Sequence, residues 1–321
     1  MSNLETDPAE AVCGGAVAVA PAHELLPGRE VVIGPRNLRV NRTLPNRGRR
    51  MVGAWCFFDH FGPDDTTAGD GMRVASHPHT GLQTVTWLVD GEVLHRDSIG
   101  SEQLIRPGQL NVMTAGHGIA HSEESPALRS PILHGVQLWV ALPGGGVRAA
   151  PAFDHHAELP VLDVDGVTVR VMTGDLGGTA SPARAYSPLV GAELTLRPDA
   201  VATLPLRPDF EYAVQTLSGV ATVDGVVLEP GALLYLGSDR TALPVSATEP
   251  ARVLLLGGEP FAEEIVMWWN FVARSHDEIV AARDEWMAGA DRFGAVHGYA
   301  GDRLPAPPLP GTRLKPRGRT R

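Results

Sequence analysis

Between residues 31 and 260 the apolar residues come in short runs, each cut off within a few positions by glycine, proline or aspartate. Such runs are too short for helices and suit strands joined by turns. The 36 glycines and 27 prolines, set against 6% aromatics, point the same way. TVTWLVDGEVLHRDS reads as a hairpin turning at Asp90-Gly91, and PGQLNVMTAG as a turn that feeds another strand. A second stretch, from about 152 to 258, echoes the first. WLVDGEV and TLSGVATVDG share one pattern, and RPGQLNVM and EPGALLYLG both place Pro-Gly before a strand. The echo is weak, because Gly91 and Gly108 are 17 positions apart while Gly219 and Gly231 are 12 apart. It still predicts an all-β chain with two similar barrels in tandem. LPGGGVRAAP (142–151) is the expected joint between them. One helix should follow the barrels. Ser275 and Glu278 form a capping box, Gly289 can end the helix, and Ile279, Ala282 and Trp286 share a face that can pack on a barrel.

Charge and cysteine content narrow the function classes. A formal net charge of -10 repels phosphate backbones and argues against direct nucleic-acid binding. Arg313, Lys315, Arg317, Arg319 and Arg321 are a local exception, in a Pro-rich end that reads as a solvated, disordered tail. Cys13 and Cys56 can form at most one bridge, so this is no disulfide scaffold, and the composition suits a reducing cytoplasm. MSNLETDPAEAVCGG lacks the basic-then-apolar order of a signal peptide. No apolar run approaches the ~18 residues of a membrane span. The expectation is a cytoplasmic protein with no membrane partner, and closed barrels with a packed helix suit a monomer.

Two segments carry chemistry. In GMRVASHPHTGLQ, His77 and His79 are separated by one residue, so a strand projects both from one face. In MTAGHGIAHSEES, His121 and Glu123 repeat that spacing. Together they offer three neutral nitrogens and one carboxylate to a single divalent metal ion. On an octahedral ion that set leaves two adjacent positions for water, substrate or dioxygen. Imidazole suits iron, zinc, copper and nickel, so the donors alone leave the metal open. Structural zinc more often uses cysteine, and neither cysteine is near these histidines. Between His156 and His276 there is no histidine, so the second barrel cannot build an imidazole-rich site.

FFDHFGP (57–63), HPHTGLQTVTWLVDGEVLHRDS (77–98) and PGQLNVMTAGHGIAHSEES (107–125) resemble the pirins, which are bicupins. The resemblance is dense from about 50 to 140 and thins toward LLLGGEP (254–260). It implies two cupin barrels (double-stranded, jelly-roll-like β-helices) facing each other, with iron only in the first. The implied division is an N-terminal tail at 1–30, a metal-binding cupin at 31–148, a degenerate cupin at 149–260, a helical extension at 261–300 and a disordered tail at 301–321. The pirin ligand pattern falls on His77, His79, His121 and Glu123, and the implied ion is Fe(2+). Many cupins use a glutamate four residues after the second histidine. Gln83 stands there, and the pirin pattern does not use that position.

The resemblance implies quercetin 2,3-dioxygenase activity for many bacterial members. A flavonol would open with dioxygen and lose carbon monoxide, with Glu123 as the proton acceptor. The partners would then be a small aromatic substrate and dioxygen. A second implication is an iron-dependent, redox-sensing regulator that binds another protein without catalysis. A third is an oxygenase or isomerase acting on some other hydroxylated small molecule. Among the remaining histidines, His60 reads as a turn residue or as support for the ligands, and His117 as a turn residue or a proton-transfer group at the cavity mouth. His95, beside Arg96 and Asp97, reads as part of a surface polar network. His134, His155 and His156 carry no spacing signal, and Trp87 and Trp139 read as core.

Overall fold

A computed structural model of the chain describes residues 23–33, 38–67, 69 and 71–320. Cys13 and the first 22 residues lie outside them. The described residues form strands throughout, followed by the helix His276–Ala288. The strands build two tandem barrels, each a large sheet faced by a four-stranded one, with every pairing between named strands antiparallel. In the first barrel the large sheet runs in the order Ala152–His156, Leu110–Thr114, Leu82–Asp90, Ile132–Ala141, Trp55–Asp65, Leu38–Leu44, Arg29–Ile33. The small sheet facing it runs Arg73–His79, Ile119–Glu124, Val93–Asp97, Glu102–Ile105.

The strand Trp55–Asp65 shows why the sequence lacks clean alternation here. Phe57, Asp59 and Phe61 line the interior of the first barrel. Cys56 and Phe58 join a core shared with Leu217, Leu233, Leu254 and Leu256 of the second barrel. A sheet covered on both faces reads as a continuous buried run. The large sheets of the two barrels thus pack against each other. Polar bonds cross the same interface. Trp55 Nε1 donates to Val190 O at 3.1 Å and Gly257 O at 3.2 Å, and Trp87 Nε1 donates to Glu193 Oε2 at 2.6 Å. The second barrel's own interior is filled by aliphatic side chains such as Val169, Leu194, Val214, Leu236 and Val253.

Cys56 lies in the shared core, and burial pushes its thiol up to about 12. In a Cys13→Ser background, Cys56 is expected not to react with an aromatic disulfide reagent at pH 8 until denaturant is added. Rapid labelling of the folded chain would show that this interface opens.

Three sequence expectations need correction. First, Asp90-Gly91 is not a hairpin. Leu82–Asp90 stays in the large sheet, while Val93–Asp97 enters the small one and pairs with Ile119–Glu124 and Glu102–Ile105. Gly91, at φ 84°, forms the corner, and a Cβ there would lie 2.5 Å from Ile132 O. Gly219 makes the matching corner in the second barrel. The echo in the sequence is therefore one of corners, which need left-handed glycine as hairpins do. A true hairpin joins Ala221–Val223 to Val226–Leu228 through Asp224-Gly225, both at positive φ.

Second, the barrels do not divide at 148/149. Ala152–His156 still pairs with Leu110–Thr114 of the first barrel. Glu24–Pro27, expected in the N-terminal tail, pairs with Ala232–Gly237 of the second. The Gly/Pro stretch 142–151 is a turn inside the first barrel's chain path, and composition cannot tell such a turn from a domain joint.

Third, residues 301–320 form no helix or named strand but are laid against the body. Leu304 N donates to Ser76 O, Trp286 Nε1 donates to Leu304 O, and Ala306 is buried. Ile265 and Arg317 exchange two backbone hydrogen bonds, and Arg319 reaches the fully buried Glu211. Proline and arginine content argues against regular structure but not against a docked extended arm.

The helix agrees with expectation. Ser275 and Glu278 cap it, Gly289 ends it at φ 73°, and Ile279, Ala282 and Trp286 are buried. They pack with Phe271, Phe293 and Ala120, and Ala120 is the neighbour of His121. Among the described residues no helix is long and apolar enough to cross a membrane.

Candidate metal centre

Arg73–His79 and Ile119–Glu124 are neighbours in the small sheet, with His77 opposite His121 and His79 opposite Ile119. Strand alternation turns His77, His79 and His121 inward together. Their ring centroids form a triangle with sides of 4.9, 4.4 and 5.0 Å, and all three rings are buried. Their ligand atoms lie within 4.8 Å of one another. Between His121 and Glu123 the register shifts, which marks a bulge. Glu123 lines the same cavity as the three histidines. Its carboxylate groups most tightly with His121 and His95. The four expected residues are thus brought together as two overlapping clusters that share His121.

His95 is the residue that sequence reasoning misplaced. It is buried, not on the surface, with its ring stacked on Phe153 at 4.4 Å. The missed signal was the spacing itself, since His95 and Asp97 repeat the i, i+2 pattern on an adjacent strand. His95 Nε2 lies 3.1 Å from Asp97 Oδ2, and His95 Nδ1 lies 3.4 Å from His121 Nδ1. Asp97 also accepts from Ile99 N and Ser101 N. Burial alone would raise the Asp97 carboxyl, but these donors hold it below the usual range. In a neutral His95 the proton sits on Nε2, facing the ionised Asp97, so Nδ1 accepts and the His121 proton lies on Nδ1.

The same argument assigns the other two rings. His77 Nδ1 donates to Ala75 O at 2.8 Å, and His79 Nδ1 donates to Asn270 O at 3.1 Å. That leaves Nε2 of His77 and His79 without a proton, and Nε2 of His121 as well when His95 is neutral. His79 Nε2 and His121 Nε2 lie 3.1 Å apart. Two bare lone pairs at that distance repel unless a cation sits beside both. Ligands about 2.1 Å from one ion and at right angles would be ~3.0 Å apart. Three neutral imidazoles with a carboxylate within reach can hold a divalent metal ion.

Burial sets the protonation of this group. It pushes His77 down to about 4 and holds His79 and His121 well below the ordinary imidazole range, with the neighbouring imidazoles adding to the effect. Burial raises the Glu123 carboxyl, against the pull of His95 and a hydrogen bond from Thr86.

A pH dependence of the metal-free protein follows. An unfolded histidine titrates near 6.5, so between about 6.5 and 4 the unfolded chain holds protons on His60 and His77 that the folded chain refuses, and the lowered His79, His121 and His134 act in the same direction. Stability is therefore full above 6.5 and falls as pH drops through that window. The raised carboxyls of Asp59, Asp64 and Glu123 oppose this, but they are fewer. The urea midpoint of the metal-free protein is expected to be lower at pH 5 than at pH 7. An equal or higher midpoint at pH 5 would contradict the buried, neutral imidazoles.

The cavity beside these residues has a volume of about 500 Å³. Phe57 and Trp139 stack at 4.0 Å to form one flat wall, and Trp139 meets His79 edge-on at 5.1 Å. Trp139 thus faces the cavity, while Trp87 is core as expected. Arg42 forks onto Asp59 with two 2.6 Å bonds and lies over Phe57 at 4.3 Å, giving the cavity a polar side. Gln83 points elsewhere, donating to Thr114 Oγ1 and Arg184 O. His60 and His134 meet at 2.7 Å in the face between the barrels and do not support the ligands. His117 is exposed and bonds to Ala149 O, outside the cavity lining. His155 bonds to Asn111 Oδ1.

Known proteins align with most of the chain. Residues 37–140 match the sequence profile of Pirin, and residues 191–294 match that of the Pirin C-terminal cupin domain. A Pseudomonas aeruginosa protein named "Putative quercetin 2,3-dioxygenase" is 50% identical over 274 residues, covering 85% of this chain and 86% of its own. A pirin-like protein of Caulobacter vibrioides is 40% identical over 260 residues, covering 79% of this chain and 89% of its own. The crystal structure of quercetin 2,3-dioxygenase from Acinetobacter baumannii has a TM-score of 0.87 at 44% identity, covering 91% of this chain and 97% of that one. With both barrels matched and relatives aligned over most of their lengths, this chain belongs to the pirin family.

Proposed function

We propose that this pirin is a metal-dependent dioxygenase that opens quercetin or a similar flavonol, with iron(II) held by His77, His79, His121 and Glu123. The observation that carries the proposal is the convergence of three buried imidazoles and a buried carboxylate on one partly apolar cavity. The cavity's 500 Å³ falls within the ~300–1,000 Å³ of small-molecule sites. A bound iron(II) would supply a Lewis acid for an enol hydroxyl and a redox route to dioxygen.

The chain's own groups do the rest. Phe57 and Trp139 present a flat face to a planar ring. Arg42 and Asp59 offer hydrogen bonds to its outer hydroxyls. Glu123, on the cavity wall, is the carboxylate placed to take the proton from the substrate's 3-hydroxyl. Asp97 and His95 act further back, by keeping the proton of His121 on Nδ1. Both oxygen atoms of dioxygen enter the opened product, and one carbon leaves as carbon monoxide.

The test is loss of flavonol absorbance in iron-loaded and metal-free protein, with and without dioxygen. Turnover is expected only with both, at one dioxygen consumed per flavonol. Equal rates in metal-free or oxygen-free samples would sink the proposal. Glu123→Gln is expected to slow turnover by about 10²-fold or more, while flavonol quenching of tryptophan fluorescence persists. An unchanged rate would remove Glu123 from the proton step.

A further inference from the structure

A second cleft, of about 1210 Å³, shares only Pro45 and Met267 with the metal cavity. Its lining carries Arg29, Arg47, Arg50, Arg313, Lys315 and Arg317, and no carboxylate among the described residues. Arg313 is neutralised by exposed Asp277 at 2.8 Å. Arg50 donates to the carbonyls of Gly318 and Thr320. Arg29, Arg47, Lys315 and Arg317 have no ion pair among the described residues.

The fold gathers these cations from distant parts of the chain. Arg29 opens the strand Arg29–Ile33, and Arg47 and Arg50 lie in the loop before Trp55–Asp65. The other three come from the docked C-terminal arm. That arm is held by Leu314 N on His276 Nδ1, by the backbone bonds of Ile265 with Arg317 and by Arg319 on Glu211. In a chain of net charge -10, such a one-sign concave surface is a local inversion. Like charges around a recess repel one another and focus a field that draws anions. Guanidinium groups match phosphate and carboxylate oxygens in pairs.

We propose that this cleft binds a compact, free polyanion carrying two or more phosphate or carboxylate groups. Its size exceeds what a single phosphate fills, and its cations come from two separate segments, residues 29–50 and the arm, so a ligand with several anionic groups satisfies it. Binding here does not depend on the metal centre.

Titration calorimetry of the full chain with pyrophosphate and with citrate tests this, and the pair distinguishes a phosphate ligand from a carboxylate one. At least one is expected to bind one-to-one and to weaken as salt rises. Arg47→Glu with Lys315→Glu is expected to weaken that binding at least tenfold, with urea midpoint and metal content unchanged. Arg29→Gln with Lys315→Gln is a milder pair should charge reversal disturb the fold, and it should weaken binding in the same direction. His121→Ala should bind the anion as the parent does, which separates this site from the metal reading. No binding of either probe at millimolar concentration, or equal affinity in both double variants, would overturn the proposal.

Discussion

His121→Ala is expected to emerge folded and without its metal ion. His121 is the one residue common to both buried clusters, with His77 and His79 on one side and His95 and Glu123 on the other. Its removal leaves neither group with three donors. It also takes away the ring that His95 Nδ1 meets at 3.4 Å. The fold should persist, because the apolar packing of the first barrel lies in residues such as Val85, Leu110 and Val136, which do not depend on this ring. Elemental analysis of purified protein, parent against variant, reads the result directly. About one ion per chain should fall to a small fraction of that, and flavonol turnover should vanish with it. Unchanged metal content with an unchanged circular dichroism spectrum would contradict the ligand assignment.

Arg252→Met should cost about 3–5 kcal/mol, the range for breaking a buried ion pair from one side. Glu193 is 1% exposed and receives Arg252 Nη2 at 2.8 Å on both oxygens. Arg252 also donates to Val89 O of the first barrel at 2.9 Å. Without the guanidinium, the buried Glu193 carboxyl would keep only Trp87 Nε1 and Thr195 Oγ1 as donors. The Arg252 side chain is 25% exposed, so water reaches the edge of the pair and the lower end of the range is expected. Urea unfolding at neutral pH measures the loss. The double variant Glu193→Gln, Arg252→Met should recover part of it, because no buried charge is then stranded. A loss below ~1 kcal/mol in the single variant would show that the pair is solvated and does not tie the barrels together.

The three histidines were legible because strand alternation is rigid: residues two apart share a face, and HxH has few other ways to fold inward. Glu123 was legible only in part. Its spacing matched, but the bulge after His121 re-aims it, and no sequence pattern marks that shift. His95 obeyed the same spacing rule with Asp97 and was passed over because charged neighbours made its strand look exposed. Arg96 is in fact held by Glu102 and Glu124 while His95 faces in. Barrel count, helix position and cap residues were readable from turn chemistry and periodicity. The corners at Gly91 and Gly219 were not, since a glycine in the left-handed region serves a corner and a hairpin equally. The docked arm was hidden for a different reason. Its anchors, Glu211 and Ser76, lie far away in the chain, and local composition cannot record them.

The exchange of strands between the barrels bears on how the chain can be made and divided. Glu24–Pro27 leaves the ribosome early but finds its partner, Ala232–Gly237, only some two hundred residues later. Until then this segment must wait unpaired while the first barrel forms. Contacts this distant in sequence slow folding and couple the ends of the chain to one event. A gene cut between residues 148 and 149 would leave each product lacking a strand carried by the other, with bare sheet edges ready to join neighbouring molecules. The two halves look like a duplicated cassette in sequence, but as material they are laced together, and neither half is a portable module.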